Sequence, residues 1–144
     1  TLPSIRAGDP RVALLFQNPK QAEIEYYQNG GFFPIMHTVV IKNAVLEKHP
    51  WTAISLVQAF QRAKEMCYAR NSDPRSFALV WVQDLLREQR EIFGRDPWPY
   101  NLEANRKALE AVIRYEYEQG MIRKQPQPEE LFFPPSLQTI QHYV

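Results

Sequence analysis

One imidazole interrupts an otherwise apolar run of the sequence. His37 lies between Phe33 and Ile41 in the stretch F-P-I-M-H-T-V-V-I. If this stretch is extended, alternate side chains point the same way, so His37 shares a face with Ile35 and Val39. Histidine in a cleft can give or take a proton, because its ordinary pKa lies near neutral pH. A core histidine bonded to neighbouring backbone fits the same pattern, so both interpretations stay open.

A cation and an amide stand near the start of the last long helical pattern. Arg106 recurs with apolar residues at spacings of four, three and four: Leu102, Leu109 and Ile113. A charge on an apolar face needs a partner, and a guanidinium suits bidentate capture of a carboxylate. Arg106 and its neighbour Asn105 are therefore candidate substrate-binding residues. An internal carboxylate such as Glu103 would satisfy Arg106 equally well, which gives it a structural role instead.

Two aromatic residues stand among prolines just before that helix. The run D-P-W-P-Y occupies residues 96–100, and each proline restricts itself and the residue before it, which predicts an extended or turn segment. Trp98 could line a cleft there, and the phenol of Tyr100 could hydrogen-bond a ligand. The alternative is that both rings pack the loop onto the core.

Caps, prolines and glycines predict the helices that must position these residues. The predicted helices cover residues 18–28, 43–46, 51–70, 72–93 and 102–119. Apolar spacing on the helix over 51–70 predicts a packed face made of four residues: Leu56, Phe60, Ala63 and Cys67. The helix over 72–93 carries a longer apolar stripe: Phe77, Val80, Trp81, Leu85 and Ile92.

Residues 33–41 form the best strand candidate, because they are rich in β-branched residues and apolar on both alternating faces. Such strands are usually covered on both sides, as in parallel α/β sheets. A lone strand leaves its backbone groups unpaired, and residues 12–16 offer at most one partner. We therefore expect a helix-dominated α/β chain that belongs to a larger protein or pairs with a second copy.

Composition narrows the function classes. The chain has 144 residues, a size typical of one domain, and a formal net charge of +1, which argues against nucleic acid as a partner. The apolar runs fall far short of the ~20 residues of a membrane-spanning helix. The sequence shows no metal-ligand spacing, and its one cysteine is Cys67. We expect a cytoplasmic location, or a periplasmic one if a signal peptide lies upstream.

Three stretches together resemble the 4,5-dihydroxyphthalate decarboxylase family. They are G-F-F-P-I-M-H-T-V-V-I at 31–41, D-P-W-P-Y-N-L-E-A-N-R at 96–106, and P-E-E-L-F at 128–132. The helix from His49 to Phe60 is similar too, so the resemblance covers nearly all of the chain. Asn101 departs from the family pattern, where glycine is expected.

The resemblance implies the C-terminal part of a two-lobed α/β fold like that of type 2 periplasmic binding proteins. Residues 1–32 would end the second lobe, 33–42 would be the strand that returns through the hinge, and 43–144 would form helices packing on the first lobe. Family members are considerably longer than this chain. Its expected partner is therefore the missing N-terminal half, or a second copy.

The resemblance also implies an activity, the non-oxidative decarboxylation of a dihydroxylated aromatic dicarboxylate without a cofactor. His37 would transfer the proton, Tyr100 would orient a ring hydroxyl, and Arg106, Asn105 and Trp98 would bind the small aromatic carboxylate. Two alternatives stay open. One is a non-catalytic substrate-binding protein of the ABC-transporter type, since the same architecture also serves transport. The other is a helical domain that only packs or dimerises.

Overall fold

A computed structural model describes residues 3–139 of the chain. The chain divides into two compact units, residues 1–32 and residues 33–144. The predicted segments 1–32 and 43–144 include residues 1–2 and 140–144, which lie outside the described residues. The part of the chain that is described is rich in helix and contains no β-strand. This composition is compatible with a fragment of an α/β protein.

The first unit is built around one capped helix. A short helix α1 spans Pro3–Arg6, and α2 spans Pro19–Gly30. The side chain of Asn18 accepts a hydrogen bond from the Gln21 amide at 3.3 Å, and the chain leaves α2 at Gly31 with a φ of 70°. The predicted helix is confirmed with both of its end signals, because Asn caps the start and a left-handed glycine closes the end.

The second unit contains the remaining helices, joined by short turns. Its α-helices are α3 (Asn43–Lys48), α4 (Trp51–Asn71), α5 (Val82–Phe93), α6 (Leu102–Glu118) and α7 (Pro134–Thr139). Two 3₁₀ helices, Pro74–Ser76 and Pro128–Leu131, connect them. Helix α4 contacts α3 and α7, and α6 contacts the second 3₁₀ helix. The buried apolar core is small and comes from α4 and α6: Ala53, Ala108, Leu109 and Ile113.

The predicted strand over residues 33–41 is not formed. These residues carry no regular secondary structure, and none of their backbone groups takes part in a backbone hydrogen bond within residues 3–139. Residues 12–16 are likewise irregular and exposed. A strand exists only when a neighbour satisfies its N–H and C=O groups, and the described chain offers no neighbour.

Helix α4 forms where predicted but packs on another face. Leu56 is partly buried, but Phe60, Ala63 and Cys67 are exposed, so the predicted packed face is wrong for three of its four residues. The less exposed residues lie one position further along the chain: Val57, Gln61, Lys64 and Tyr68. One residue corresponds to a rotation of about 100° around the helix. The apolar pattern failed because polar groups that find partners occupy the packed face.

Helix α5 begins ten residues later than predicted. Asp73 caps only the 3₁₀ turn, where its carboxylate accepts hydrogen bonds from the amide and the guanidinium of Arg75. Phe77 then adopts extended backbone with φ −135° and ψ 137°, which ends the turn. As a result Val80 and Trp81 lie outside α5 and are exposed. The predicted stop at Gly94 is confirmed, since its amide bonds the Arg90 carbonyl.

Helix α6 matches its prediction closely. The side chain of Asn101 accepts a hydrogen bond from the Ala104 amide at 2.6 Å, with Asn101 itself at φ −85° and ψ 152°. Asparagine therefore serves as an N-cap here. Leu109 and Ile113, which the sequence places on one apolar face, are buried. The irregular segment over residues 96–100 that precedes α6 is confirmed.

Candidate functional site

A groove of about 820 Å³ runs along the second unit and collects most of the predicted site residues. Its walls come from residues 33–41, the N-terminal half of α4, residues 97–102, α6 and the segment 130–137. Four of the five candidates line it: His37, Trp98, Tyr100 and Asn105. Residues that are more than sixty positions apart in sequence therefore share one surface.

His37 presents an accessible imidazole to this groove. The residue is exposed, and its side chain makes no hydrogen bond to any of residues 3–139. The interpretation as a core histidine held by backbone groups therefore does not describe this structure. An imidazole with both nitrogens available can exchange a proton with a bound molecule.

Trp98 is fixed by contacts on both its ring and its backbone. Its indole packs edge-to-face against Phe33, with ring centroids 6.0 Å apart, and Phe33 packs in turn against Phe93 at 5.4 Å. The Trp98 amide donates to the Asp96 carboxylate at 3.1 Å. Trp98 remains about half exposed, so it both anchors the loop and lines the groove.

Asn105 connects α6 to the proline-rich loop through hydrogen bonds. Its side-chain amide nitrogen donates to the carbonyls of Pro99 and Asn101, at 2.7 and 2.9 Å. These bonds use both N–H donors of the amide. The geometry therefore gives Asn105 a structural task in shaping the groove wall next to Tyr100.

Arg106 lies outside the groove and is already paired. Its guanidinium bonds Glu103 at 2.6 Å and Glu129 at 2.5 Å. Hydrogen bonds from these two carboxylates raise the pKa of Arg106 further above its ordinary value, and the guanidinium lowers the pKa of Glu103 and of Glu129. The pair with Glu129 joins α6 to the second 3₁₀ helix, and the pair with Glu103 lies within α6. Both favour the structural alternative for Arg106.

A polar network that the sequence pattern does not predict lies beside the loop over residues 96–100. The ammonium of Lys64 bonds the Asp96 carboxylate at 2.5 Å and the Trp98 carbonyl at 2.9 Å, and Tyr68 donates to Asp96 at 2.8 Å. Lys64 also lies 4.2 Å from the centroid of the Tyr100 ring. The helical spacing of four places Lys64 and Tyr68 on one face of α4, but no sequence signal shows that this face packs, because its partner Asp96 is distant in sequence.

The network shifts two acid–base equilibria. Partial burial opposes ionisation of Asp96, but hydrogen bonds from Lys64 and Tyr68 outweigh it, so the pKa of Asp96 lies below its ordinary value. Burial, together with the hydrogen bond to Asp96, raises the pKa of Tyr68 well above its usual range. Asp96 is therefore a carboxylate and Tyr68 a neutral donor at neutral pH.

The groove is poor in charge. Its lining residues, all within 33–137, include Glu130 but neither lysine nor arginine. The Glu130 carboxylate accepts a hydrogen bond from the Gln127 amide at 2.8 Å, as part of a capping box. Within residues 3–139 no group of three or more His, Cys, Asp or Glu side chains could hold a metal ion. In the same range no helix has both the length and the apolar composition to cross a bilayer.

The chain is similar to part of a longer known protein. A 4,5-dihydroxyphthalate decarboxylase of Comamonas testosteroni is 34% identical to this chain over 134 residues, which is 92% of the chain. The chain spans 41% of the length of that relative. No protein-family model matches the chain. The similarity suggests the family that the three sequence stretches indicate.

Proposed function

We propose that this chain forms one wall of the substrate cleft in an enzyme that decarboxylates a dihydroxylated aromatic dicarboxylate, of the 4,5-dihydroxyphthalate type. The observation that carries the proposal is the coincidence of two findings. The chain is similar over 92% of its length to a protein named for that reaction. Its predicted proton donor and aromatic residues also line one groove.

The reaction needs a proton at the carbon that loses carbon dioxide. A ring hydroxyl para to the departing carboxylate pushes electrons into the ring when it loses its proton. The imidazolium of His37 then donates a proton to the carbon that bears the carboxylate. The carbon–carbon bond breaks, its electrons return to the ring, and carbon dioxide leaves. The phenoxide takes back from water the proton that its hydroxyl released to water, and His37 regains its proton from solvent. The net change in the substrate is therefore one proton gained and one carbon dioxide lost.

Tyr100 and Trp98 orient the ring in this proposal. The phenol of Tyr100 hydrogen-bonds the substrate hydroxyl, and the indole of Trp98 offers an apolar ring surface beside it. Both side chains are about half exposed and line the groove, which leaves them accessible to a ligand. Asn105 supports them by holding the carbonyls of Pro99 and Asn101.

The cation that binds the retained carboxylate is proposed to come from outside this chain. The groove offers no lysine or arginine within residues 33–137, and Arg106 is engaged by Glu103 and Glu129. The relative is more than twice as long as the matched region. We therefore propose that this chain is the C-terminal part of a longer protein, whose remaining part supplies the cation and covers the apolar groove.

Replacement of His37 by Gln in the full-length protein tests the proposed proton transfer. We expect turnover of 4,5-dihydroxyphthalate to fall by about 10²- to 10⁴-fold, because a positioned general acid contributes that much. Release of carbon dioxide measures it. His49→Gln is the matched control, since His49 is exposed, packs on Trp51 and does not line the groove.

Two outcomes would change the proposal. Turnover that is unchanged in the His37→Gln variant removes His37 from the mechanism. Binding of 4,5-dihydroxyphthalate by the unmodified protein without release of carbon dioxide contradicts the enzyme and favours the non-catalytic binding protein.

A further inference from the structure

Lys64 is a buried cation beneath the aromatic loop, and the proposed mechanism leaves it unused. Its side chain is 8% exposed, whereas that of its partner Asp96 is 33% exposed. A buried ammonium is costly unless its hydrogen bonds and its charge are both compensated. The groups that contact the Lys64 ammonium offset this cost. Moving any of them away would leave the buried charge uncompensated, so each is held in place.

The three contacts of Lys64 converge on the loop over residues 96–100. The Asp96 carboxylate and the Trp98 carbonyl accept two of its N–H bonds, at 2.5 and 2.9 Å. The ring centroid of Tyr100 lies 4.2 Å from the same nitrogen, a distance at which the face of an aromatic ring attracts a cation. Desolvation strengthens this attraction, because little water competes for the ammonium.

We propose that Lys64 is a positioning residue that holds the Tyr100 ring in the groove through the cation–ring contact. The hydrogen bond to the Trp98 carbonyl fixes the loop backbone two residues earlier. Lys64 lies on α4, so it ties the loop to the helix whose N-terminal half forms another wall of the groove. The consequence for catalysis rests on the proposed function, whereas the contact itself does not.

A double-mutant cycle in the full-length protein measures the contact. Lys64→Gln keeps a donor for Asp96 but removes the cation, and Tyr100→Leu keeps apolar bulk but removes the ring. We expect the two changes to be coupled by about 5- to 30-fold in the unfolding equilibrium constant, as for a cation–ring pair that is largely removed from water. Lys64→Arg keeps a cation and should retain coupling to Tyr100. Lys107→Gln, at an exposed lysine of α6, should show none.

A second measurement leaves Lys64 intact. Tyr100→Phe is compared with ring-fluorinated phenylalanines at the same position, because each added fluorine weakens the negative face of the ring. We expect the unfolding equilibrium to favour the unfolded state progressively with each fluorine. Additive effects in the cycle, or no trend along the fluorinated series, would overturn the proposal. The series decides the matter if the Lys64→Gln variant does not fold.

Turnover separates the positioning role from a purely structural one. Lys64→Gln should lower kcat for 4,5-dihydroxyphthalate by about 10- to 100-fold, because a misplacement of about 1 Å can cost about 10²-fold in rate. The same change should have little further effect in the Tyr100→Leu background, and Lys64→Arg should restore most of the loss. An equal loss in both backgrounds would contradict action through Tyr100. If the unmodified protein shows no turnover but the unfolding cycle shows coupling, the proposed function fails and the positioning of Tyr100 stands.

Discussion

Asp96 shows how one side chain organises a groove that it does not line. Its two oxygens accept hydrogen bonds from Lys64, from Tyr68 and from the Trp98 amide. Two of these donors lie on α4, and the third belongs to the loop that carries Trp98 and Tyr100. The carboxylate thereby joins the helix to the loop and compensates a lysine that is almost entirely removed from water.

Replacement of Asp96 by Asn should destabilise the protein. The variant keeps an acceptor but loses the charge opposite Lys64, so we expect a cost of about 1.5–3 kcal/mol, the range for hydrogen bonds to charged groups. Chemical denaturation measures it. Asp84→Asn is the matched control, because Asp84 pairs with Arg87 on the surface and both side chains are more than half exposed. The Asp84–Arg87 pair should contribute only about 0–1 kcal/mol to the free energy of unfolding.

The same carboxylate gives stability a defined dependence on pH. The pKa of Asp96 is lower in the folded protein than its ordinary value of 3.8. Its contribution is therefore complete above that value and is lost as the pH falls through the lowered folded-state pKa. Unfolding curves measured from neutral pH downwards should converge for the unmodified protein and Asp96→Asn in strong acid. A gap that persists undiminished there would contradict the assignment.

Arg106 distinguishes a structural guanidinium from a substrate clamp. Because its carboxylate partners belong to the protein, we expect Arg106→Gln to leave KM for 4,5-dihydroxyphthalate within about twofold. Loss of its bond to Glu129 should instead free the second 3₁₀ helix, Pro128–Leu131, so that proteases cut this segment faster. Arg114→Gln, which removes an exposed pair with Glu118 on the same helix, should change neither property. A large rise in KM would restore Arg106 to the substrate site.

At the scale of elements, end signals were more informative than apolar stripes. Asn18, Gly31 and Asn101 mark helix ends because a side-chain acceptor or a left-handed backbone acts locally. The packed face of α4 could not be predicted in this way, since Lys64 and Tyr68 are polar and become buried only because Asp96, distant in sequence, receives them. Likewise Asp73 caps a helical turn, but this turn is a 3₁₀ turn that ends at the extended backbone of Phe77.

The cap of α6 provides the test at this scale. Asn101→Ala removes the acceptor for the Ala104 amide and should lower the free energy of unfolding by about 0.5–2 kcal/mol. Asn101→Asp keeps an acceptor at the same place and should cost much less. Denaturant titration of both variants gives the comparison, and equal losses would show that the cap is not the cause. The effect should reach the groove, because α6 begins where the loop over residues 96–100 ends.

For the whole molecule, the main feature is a strand-like segment, residues 33–41, that has no strand beside it within the described residues. Residues 33–41 make no backbone hydrogen bond within residues 3–139, and Met36 and Val40 are 77% and 89% exposed. The sequence pattern predicts a strand, and the described chain contains nothing with which a strand could pair. Both observations agree if the partner lies in the part of the protein that the relative possesses and this chain does not span. Four of the five candidates named from the sequence line the groove, whereas a covering surface that lies outside this chain cannot be predicted from it.

Hydrogen exchange in the full-length protein tests this explanation. If a neighbouring strand pairs with residues 33–41, their amides should exchange at least about 10³-fold more slowly than in an unstructured peptide, because exchange then requires the sheet to open. Mass spectrometry of peptic peptides measures the protection. The irregular segment over residues 123–126 is an internal reference, since none of its amides donates a hydrogen bond within the described residues. Exchange of residues 33–41 as fast as in that segment would contradict a paired strand. His37 would then sit on a mobile segment, which could not hold its imidazole against a substrate carbon.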